Sequence, residues 1–269
     1  MRHRYIPAPF LQITGLVLLV SCSAWAVPLQ APSLSEIIEG VSQRVREFEE
    51  LLPVFVCSEK ITSNRTDSGK ITSQKTVESV FTSLQSPHSA LAFAESRDVI
   101  SIDGKQVRPG TAMPGLPYGM GGGFGSLLAM TFSRANTRVH DYEIAAAELQ
   151  QDSKTILIRF RTKPGQRQLG EILNGRHFYS NDVGKALIDI RSMQVLRLER
   201  QSLDNPPPFA SNLMVVAYSP VTIGEREFWM PQYVRSEVVE RNPKKTALYV
   251  AEYTDCRKFS ATVQIKPAQ

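Results

Sequence analysis

The stretch from Gly184 to Gln201, GKALIDIRSMQVLRLERQ, constrains the fold of this chain more than any other segment, because it alternates apolar and polar residues on both sides of a short polar turn. In its first arm Ala186, Ile188 and Ile190 fall on one face. In its second arm Leu196 and Leu198 alternate with Arg197 and Glu199, the period of two expected of a half-buried antiparallel pair. Asp189 stands where its carboxylate can accept from backbone N–H groups of the turn through Arg191 and Ser192. A hairpin of this kind is laid among other strands, and the rest of the chain supplies them.

Ser33 or Ser35 can cap a helix in which Ile37, Ile38, Val41, Val45, Phe48, Leu51 and Leu52 recur at helical spacing until Pro53 ends it. Strands are predicted over Val54–Thr62, Lys70–Leu84 and Ala90–Ile102, with a polar turn across Ser63–Gly69 and a hairpin reversal at Asp103-Gly104. Arg108–Gly125, with seven glycines and three prolines, admits no regular element, and Ser126–Phe132 can form a short helix. Tyr142–Gln150 and Thr155–Thr162 pair around Asp152-Ser153, and Pro164-Gly165 turns the chain away. The continuous apolar run Leu213–Tyr218 suits a strand covered on both faces. Glu225–Met230, Gln232–Arg241 and Thr246–Cys256 follow, separated by turns. No helical crossover separates these later strands, so the sheet is predicted to be antiparallel. About ten strands against one long helix give a mainly β (α+β) class, a strongly curved sheet packed on the N-terminal amphipathic helix. The 269 residues, 42% of them apolar, suffice for one such domain, placed at residues 35–265.

Residues 1–26 read as a signal peptide: Arg2 and Arg4 precede an apolar run from Phe10 to Val20, and Ala24-Trp25-Ala26 has the small-x-small spacing of a cleavage site. Leu19-Val20-Ser21-Cys22 also reads as a lipobox, which makes Cys22 an acylated first residue of an outer-membrane lipoprotein. Either leader implies export to the periplasm or beyond, followed by a tether at residues 27–34. Cys22 is discarded or acylated in both cases, and the even pair left, Cys57 and Cys256, suggests a disulfide in an oxidising compartment. The formal net charge of +5 becomes +3 after Ala26, with 29 bases and 26 acids remaining. That mild excess permits peripheral contact with anionic headgroups but points to no particular partner.

Nothing in the chain amounts to a catalytic signature. His88, His140 and His177 are scattered, and the adjacent His140-Asp141 pair would point to opposite faces of a strand. There is no GxSxG elbow, SxxK or catalytic-cysteine pattern. Gly121, Gly123 and Gly125 lack the Lys-Ser/Thr of a phosphate loop, so no nucleotide or other cofactor is expected. Arg159, Arg161 and Lys163 share one strand face without interleaved aromatics, which reads as a solvated surface and speaks against nucleic acid. Met113, Leu116, Tyr118, Met120 and Phe124 place apolar side chains on a glycine-rich backbone, suited to a lid over an oily cavity.

The succession of leader, amphipathic helix and antiparallel strands, then GKALIDIRSMQVLRLER, VVAYSPVTIGEREFWMP and YVAEYTDCRKF, resembles the LolA/LolB-like family of exported bacterial proteins. The resemblance spans roughly Leu34 to Phe259. It implies an unclosed β-barrel with a helical lid, whose apolar interior holds the acyl chain of a lipid or lipoprotein. The expected function is therefore a non-enzymatic periplasmic binding protein, with Phe48 of the helix and the five loop residues named above gating the cavity. A filled sheet would instead suit an envelope interaction or sensor module that contacts another protein.

Overall fold

The computed structural model describes residues 32–85, 93–119, 124–145, 154–173, 176–242 and 244–260. The leader, Cys22, His88, Met120 and the Asp152-Ser153 turn lie outside the described residues. Helix α1 spans Leu34–Leu51 and begins in a capping box: the Ser33 hydroxyl accepts from the Glu36 amide, and the Glu36 carboxylate accepts from the Ser33 amide. Ile37, Val41, Val45 and Phe48 form its buried stripe, while Leu51 is exposed and Leu52, just past the end, is fully buried.

The strands are β1 (Phe55–Asp67), β2 (Lys70–Gln85), β3 (Phe93–Ile102), β4 (Lys105–Gln106), β5 (His140–Ile144), β6 (Thr155–Thr162), β7 (Gln168–Leu173), β8 (Arg176–Ser180), β9 (Asp182–Asp189), β10 (Gln194–Ser202), β11 (Phe209–Ile223), β12 (Arg226–Glu240) and β13 (Lys245–Lys258). A second helix, α2, covers Ser126–Phe132, and a 3-10 turn follows at Asn136–Arg138. Eleven strands form one antiparallel, unclosed sheet in the order β4-β3-β2-β1-β13-β12-β11-β10-β9-β6-β5, and β7 and β8 pair apart from it.

The sheet curls. Phe124 stacks on Phe81 of β2, whereas Phe132, eight residues later, stacks on Tyr142 of β5. In a flat sheet those strands, eight spacings apart, would lie about 38 Å from one another, while seven residues of helix rise only about 10 Å. Curvature brings the two ends onto one short helix, and α1, α2 and most of the inner face share one hydrophobic core, with Phe209, Val238 and Ala247 forming a smaller cluster.

The central hairpin forms with one difference from the plain alternation. Asp189 accepts from the Arg191 and Ser192 amides at 3.0 and 2.8 Å. Val195 pairs with Ile188 but Arg197 pairs with Leu187, so Leu196 is an extra residue in a bulge. Val195 and Leu198 therefore point inward, and Leu196 is only half-buried. Gly184 is required by packing: a Cβ there would lie 2.2 Å from the Glu199 carbonyl oxygen and 2.3 Å from the Phe160 ring.

Three other elements depart from expectation. β1 continues to Asp67, because its ladders to β13 and β2 carry through the polar residues predicted as a turn. The two strands expected around Pro231 are one: Ala217 pairs with Tyr233 and Tyr218 with Pro231, and the bulge at Gln232 absorbs the missing proline N–H. The β7–β8 pair has no counterpart in the expected strands. Cys57 and Cys256 are joined in a disulfide, with Cα atoms 4.1 Å apart, across an irregularity where Val56 faces Arg257 but Ser58 faces Thr254. It locks neighbouring strands that lie 199 residues apart in sequence.

Candidate functional site

The inner face beneath the loop after β4 is the region where the predicted lid residues meet the sheet. β1 presents Glu59, Ile61 and Ser63 inward at alternate positions, β2 presents Val77, Ser79 and Phe81, and β13 presents Tyr249, Ala251 and Tyr253. The described part of the loop carries no helix or strand from Val107 to Gly119, yet it is fastened at Pro117-Tyr118. Ser63 Oγ donates to the Tyr118 carbonyl at 2.6 Å and accepts from its amide at 2.9 Å, and Arg65 Nε donates to the Pro117 carbonyl. The Tyr118 hydroxyl lies 3.0 Å from Ser236 Oγ of β12, and its ring meets Phe209 edge-on.

Between this loop and the sheet lies a cavity of about 310 Å³ lined by Ile61, Arg97, Met113, Pro114, Leu116 and Tyr249, with Gly119 at its margin. Its volume is at the lower end of the roughly 300–1,000 Å³ typical of small-molecule sites. Met113 and Leu116 thus share one cavity wall. Tyr118 is the anchor of the loop, and Phe124 is buried outside that cavity in a nest formed by Phe55, Phe81 and Tyr253, with ring centroids 5.3, 5.0 and 4.9 Å away. Phe48 lines a separate hollow of about 250 Å³ with Leu51, Leu128, Phe228 and Trp229. The described candidate gating residues are therefore divided among the loop with its cavity, the Phe124 nest and the Phe48 hollow.

A buried ion pair, not foreseen from sequence, closes one side of the loop cavity. The Glu59 carboxylate is fully buried; it accepts from Arg97 through Nε at 2.8 Å and Nη2 at 3.0 Å, and from the Ser79 hydroxyl at 2.7 Å. Arg97 also reaches Glu95 at 3.2 Å and lies 5.1 Å from the centre of the Phe81 ring. Burial works against the Arg97 cation, but the adjoining Glu59 carboxylate outweighs it and holds the guanidinium pKa above its ordinary value. Burial, reinforced by the Glu59 charge, pushes the Tyr249 and Tyr253 phenols up as well, so the cavity and nest present neutral rings at all physiological pH values. A second buried pair, Arg200 to Asp182, sits at the far side of the inner face, with Ser180 and Ser202 donating to the Asp182 carboxylate at 2.7 and 3.0 Å. Breaking a pair of this kind by removing one partner costs about 3–5 kcal/mol, because it strands a charge in the interior.

His140 is buried, with Nδ1 3.0 Å from the Asn136 carbonyl and its ring edge-on to Tyr142 and Phe160. Asp141 is exposed on the opposite face. His177 lies on β8. Arg159 and Arg161 are exposed, Arg159 facing Glu143 at 3.8 Å, and Lys163 donates to the Arg138 carbonyl. Among the described residues no group of three His, Cys, Asp or Glu side chains is placed to hold a metal, and no helix is long and apolar enough to cross a membrane.

No family model and no curated protein matches this sequence. Among solved structures the chain is similar to a DUF1329 family protein from Desulfovibrio piger ATCC 29098, at 11% identity and a TM-score of 0.38 over 85% of this chain and 94% of that one. It is also similar to a LolA superfamily protein from Nitrosomonas europaea, at 11% identity and a TM-score of 0.35 over 84% of this chain and 94% of the other.

Proposed function

We propose that this protein is an exported, non-catalytic carrier that binds a lipid or the acyl chain of a lipoprotein against the inner face of its sheet. Residues 1–26 act as the export signal, with Cys22 the alternative point of acylation, and residues 35–265 form the binding domain. The observation that carries the reading is the mostly apolar cavity beneath the loop, lined by Ile61, Met113, Pro114, Leu116 and Tyr249 with the ion-paired Arg97 on one side. It adjoins a backbone that has no regular structure and is fastened at Pro117-Tyr118. A side chain wall of this kind binds by removing apolar surface from water, at roughly 25 cal/mol per Å², and needs no reacting group. Met113 and Leu116 act as the movable edge of the lid, Tyr118 as its hinge and Phe124 as a plug that occupies the aromatic nest when no ligand is bound.

Native mass spectrometry of protein purified without detergent tests this. Co-purifying lipid, displaced by a fluorescent fatty acid, is the expected result; an empty protein that also ignores the probe would refute it. Intact mass of the mature chain separates cleavage after Ala26 from acylation at Cys22. The tight burial of Phe124 favours a second reading, in which the sheet is permanently filled and its surface docks another envelope protein. Recovery of a stoichiometric protein partner without lipid would select that one.

A further inference from the structure

Away from the loop cavity, β8, the turn after β10 and the end of β12 enclose an open groove of about 540 Å³. Its apolar lining includes Phe178, Tyr179, Leu203 and Phe209, and its charged lining is Asp204 and Arg241. Tyr179 and Leu203 are each about half exposed, at 52% and 53%, which is unusual for large apolar side chains on one rim. Arg241 is exposed, and among the described residues no ion pair involves it.

The turn is held rigidly before any ligand arrives. Asn205 Nδ2 donates to the Ser202 and Ala210 carbonyls at 2.9 and 3.3 Å, Asn181 Nδ2 donates to Asp204 Oδ2 at 2.6 Å, and the Leu203 amide donates to the Asn181 carbonyl at 2.8 Å. The Phe209 and Arg241 amides are also engaged, by the Pro206 and Pro208 carbonyls. A turn preorganised in this way, with Asp204 held by Asn181, loses little backbone entropy on binding.

These features narrow the occupant. The groove carries two exposed charged groups, Asp204 and Arg241, which disfavours an acyl chain. The Leu203, Phe209 and Arg241 amides are used within the turn, so recognition on that side of the groove falls to side chains. A sugar ring has the matching chemistry: an apolar C–H face to lie on the exposed Tyr179 ring beside Leu203, and hydroxyls for the free oxygen of Asp204 and the five donors of the Arg241 guanidinium. The unpaired planar cation adds a preference for a carboxylate, which it can grip through two parallel hydrogen bonds. We propose that this groove binds an acidic saccharide of one or two rings, a function separate from the lid and its cavity. Such a site would hold the protein to polysaccharide in the envelope while the inner face handles its own ligand.

Saturation-transfer NMR and calorimetry on the mature chain test the assignment, with digalacturonate as the acidic probe, cellobiose as the neutral one and an N-acetylated acidic dipeptide as a control. Digalacturonate should bind at least about tenfold more tightly than cellobiose, a difference of about 1.4 kcal/mol. Arg241→Gln should abolish that preference, and Tyr179→Ala should weaken both sugars about tenfold; both positions are exposed, so neither variant disturbs folding. Absence of binding at about 10 mM sugar, where even a millimolar affinity saturates, would overturn the proposal. So would equal binding of the dipeptide, or affinities indifferent to Tyr179→Ala. Because the groove and the loop cavity share no lining residue, loss of fatty-acid binding would leave this result standing.

Discussion

Replacing Phe124 by alanine separates a lid from a fixed piece of core. The ring is 2% exposed and meets Phe55, Phe81 and Tyr253 at centroid distances of 5.3, 5.0 and 4.9 Å, while its amide donates to Glu95 at 3.3 Å. Removing a phenyl group from a site packed this fully costs about 3–5 kcal/mol, of which the aromatic contacts contribute about 0.5–1.5 kcal/mol each. The two figures overlap, so we take about 4 kcal/mol. At about 2–4 °C per kcal/mol for a domain of this size, the Tm should fall by about 8–16 °C. The same vacated nest becomes available to a ligand. If the lid reading is right, affinity for a polyene fatty-acid probe, measured by fluorescence titration, should rise about tenfold, or about 1.4 kcal/mol, because the ligand no longer competes with the ring. Urea unfolding and the titration are run on the same preparation. A stability loss below about 1 kcal/mol would show that the ring is not wedged as described. A full loss of stability with unchanged probe affinity would show that the nest is permanent core, and that the ligand does not enter through it.

Other perturbations address separate parts of the fold. Exchanging both Cys57 and Cys256 for serine frees a loop of 199 residues, for which chain entropy sets a ceiling of about 5 kcal/mol; we expect a loss of about 3–5 kcal/mol in urea, and a loss under about 1 kcal/mol would contradict it. Gly184→Ala forces a methyl onto the Glu199 carbonyl and the Phe160 ring. Because the first of these is backbone, the variant should lose at least about 3 kcal/mol, the upper end for overpacking, and an unchanged denaturation midpoint would show that the hairpin shifts freely. Burial acts to raise the Asp189 pKa, but hydrogen bonds from the Ser192 amide and hydroxyl and the Arg191 amide prevail and hold it below its usual value. Its contribution is therefore complete above the ordinary aspartate pKa and is lost as the pH falls through the depressed folded value. Asp189→Asn should flatten the acid limb of the stability curve below about pH 4, and limbs of identical slope would argue against it.

Much of the architecture was legible because burial imposes a period. The α1 stripe from Ile37 to Phe48 and the Asp103-Gly104 reversal, with both residues at positive φ, follow from local rules. What failed were places where one extra residue resets the alternation. Nothing at Val195 or Leu196 announces a bulge, and Pro231 looked like a break until its neighbour Gln232 absorbed the mismatch. The β7–β8 pair had a readable cue, Asn174-Gly175 between Leu169-Ile172 and Phe178, the turn chemistry of a tight hairpin. The site was less legible. Met113 and Leu116 line one cavity, and Glu59 and Arg97 lie 38 positions apart and meet only because β1, β2 and β3 lie side by side. Asp204 and Arg241 likewise converge through the β10–β12 succession, which no spacing in the sequence encodes.

The position of β13 has a consequence for how the molecule comes together. β1 to β4 form one meander, the strands from β5 to β12 that belong to the large sheet form another, and β13 alone bridges them, pairing with β1 on one side and β12 on the other. Until that final segment arrives, a growing chain holds two half-sheets with facing, unsatisfied borders, each a template for unwanted association. The last strand is a keystone: a chain stopped at Asn242 should remain split, and a separate peptide covering Lys245–Lys258 should restore it by filling the slot.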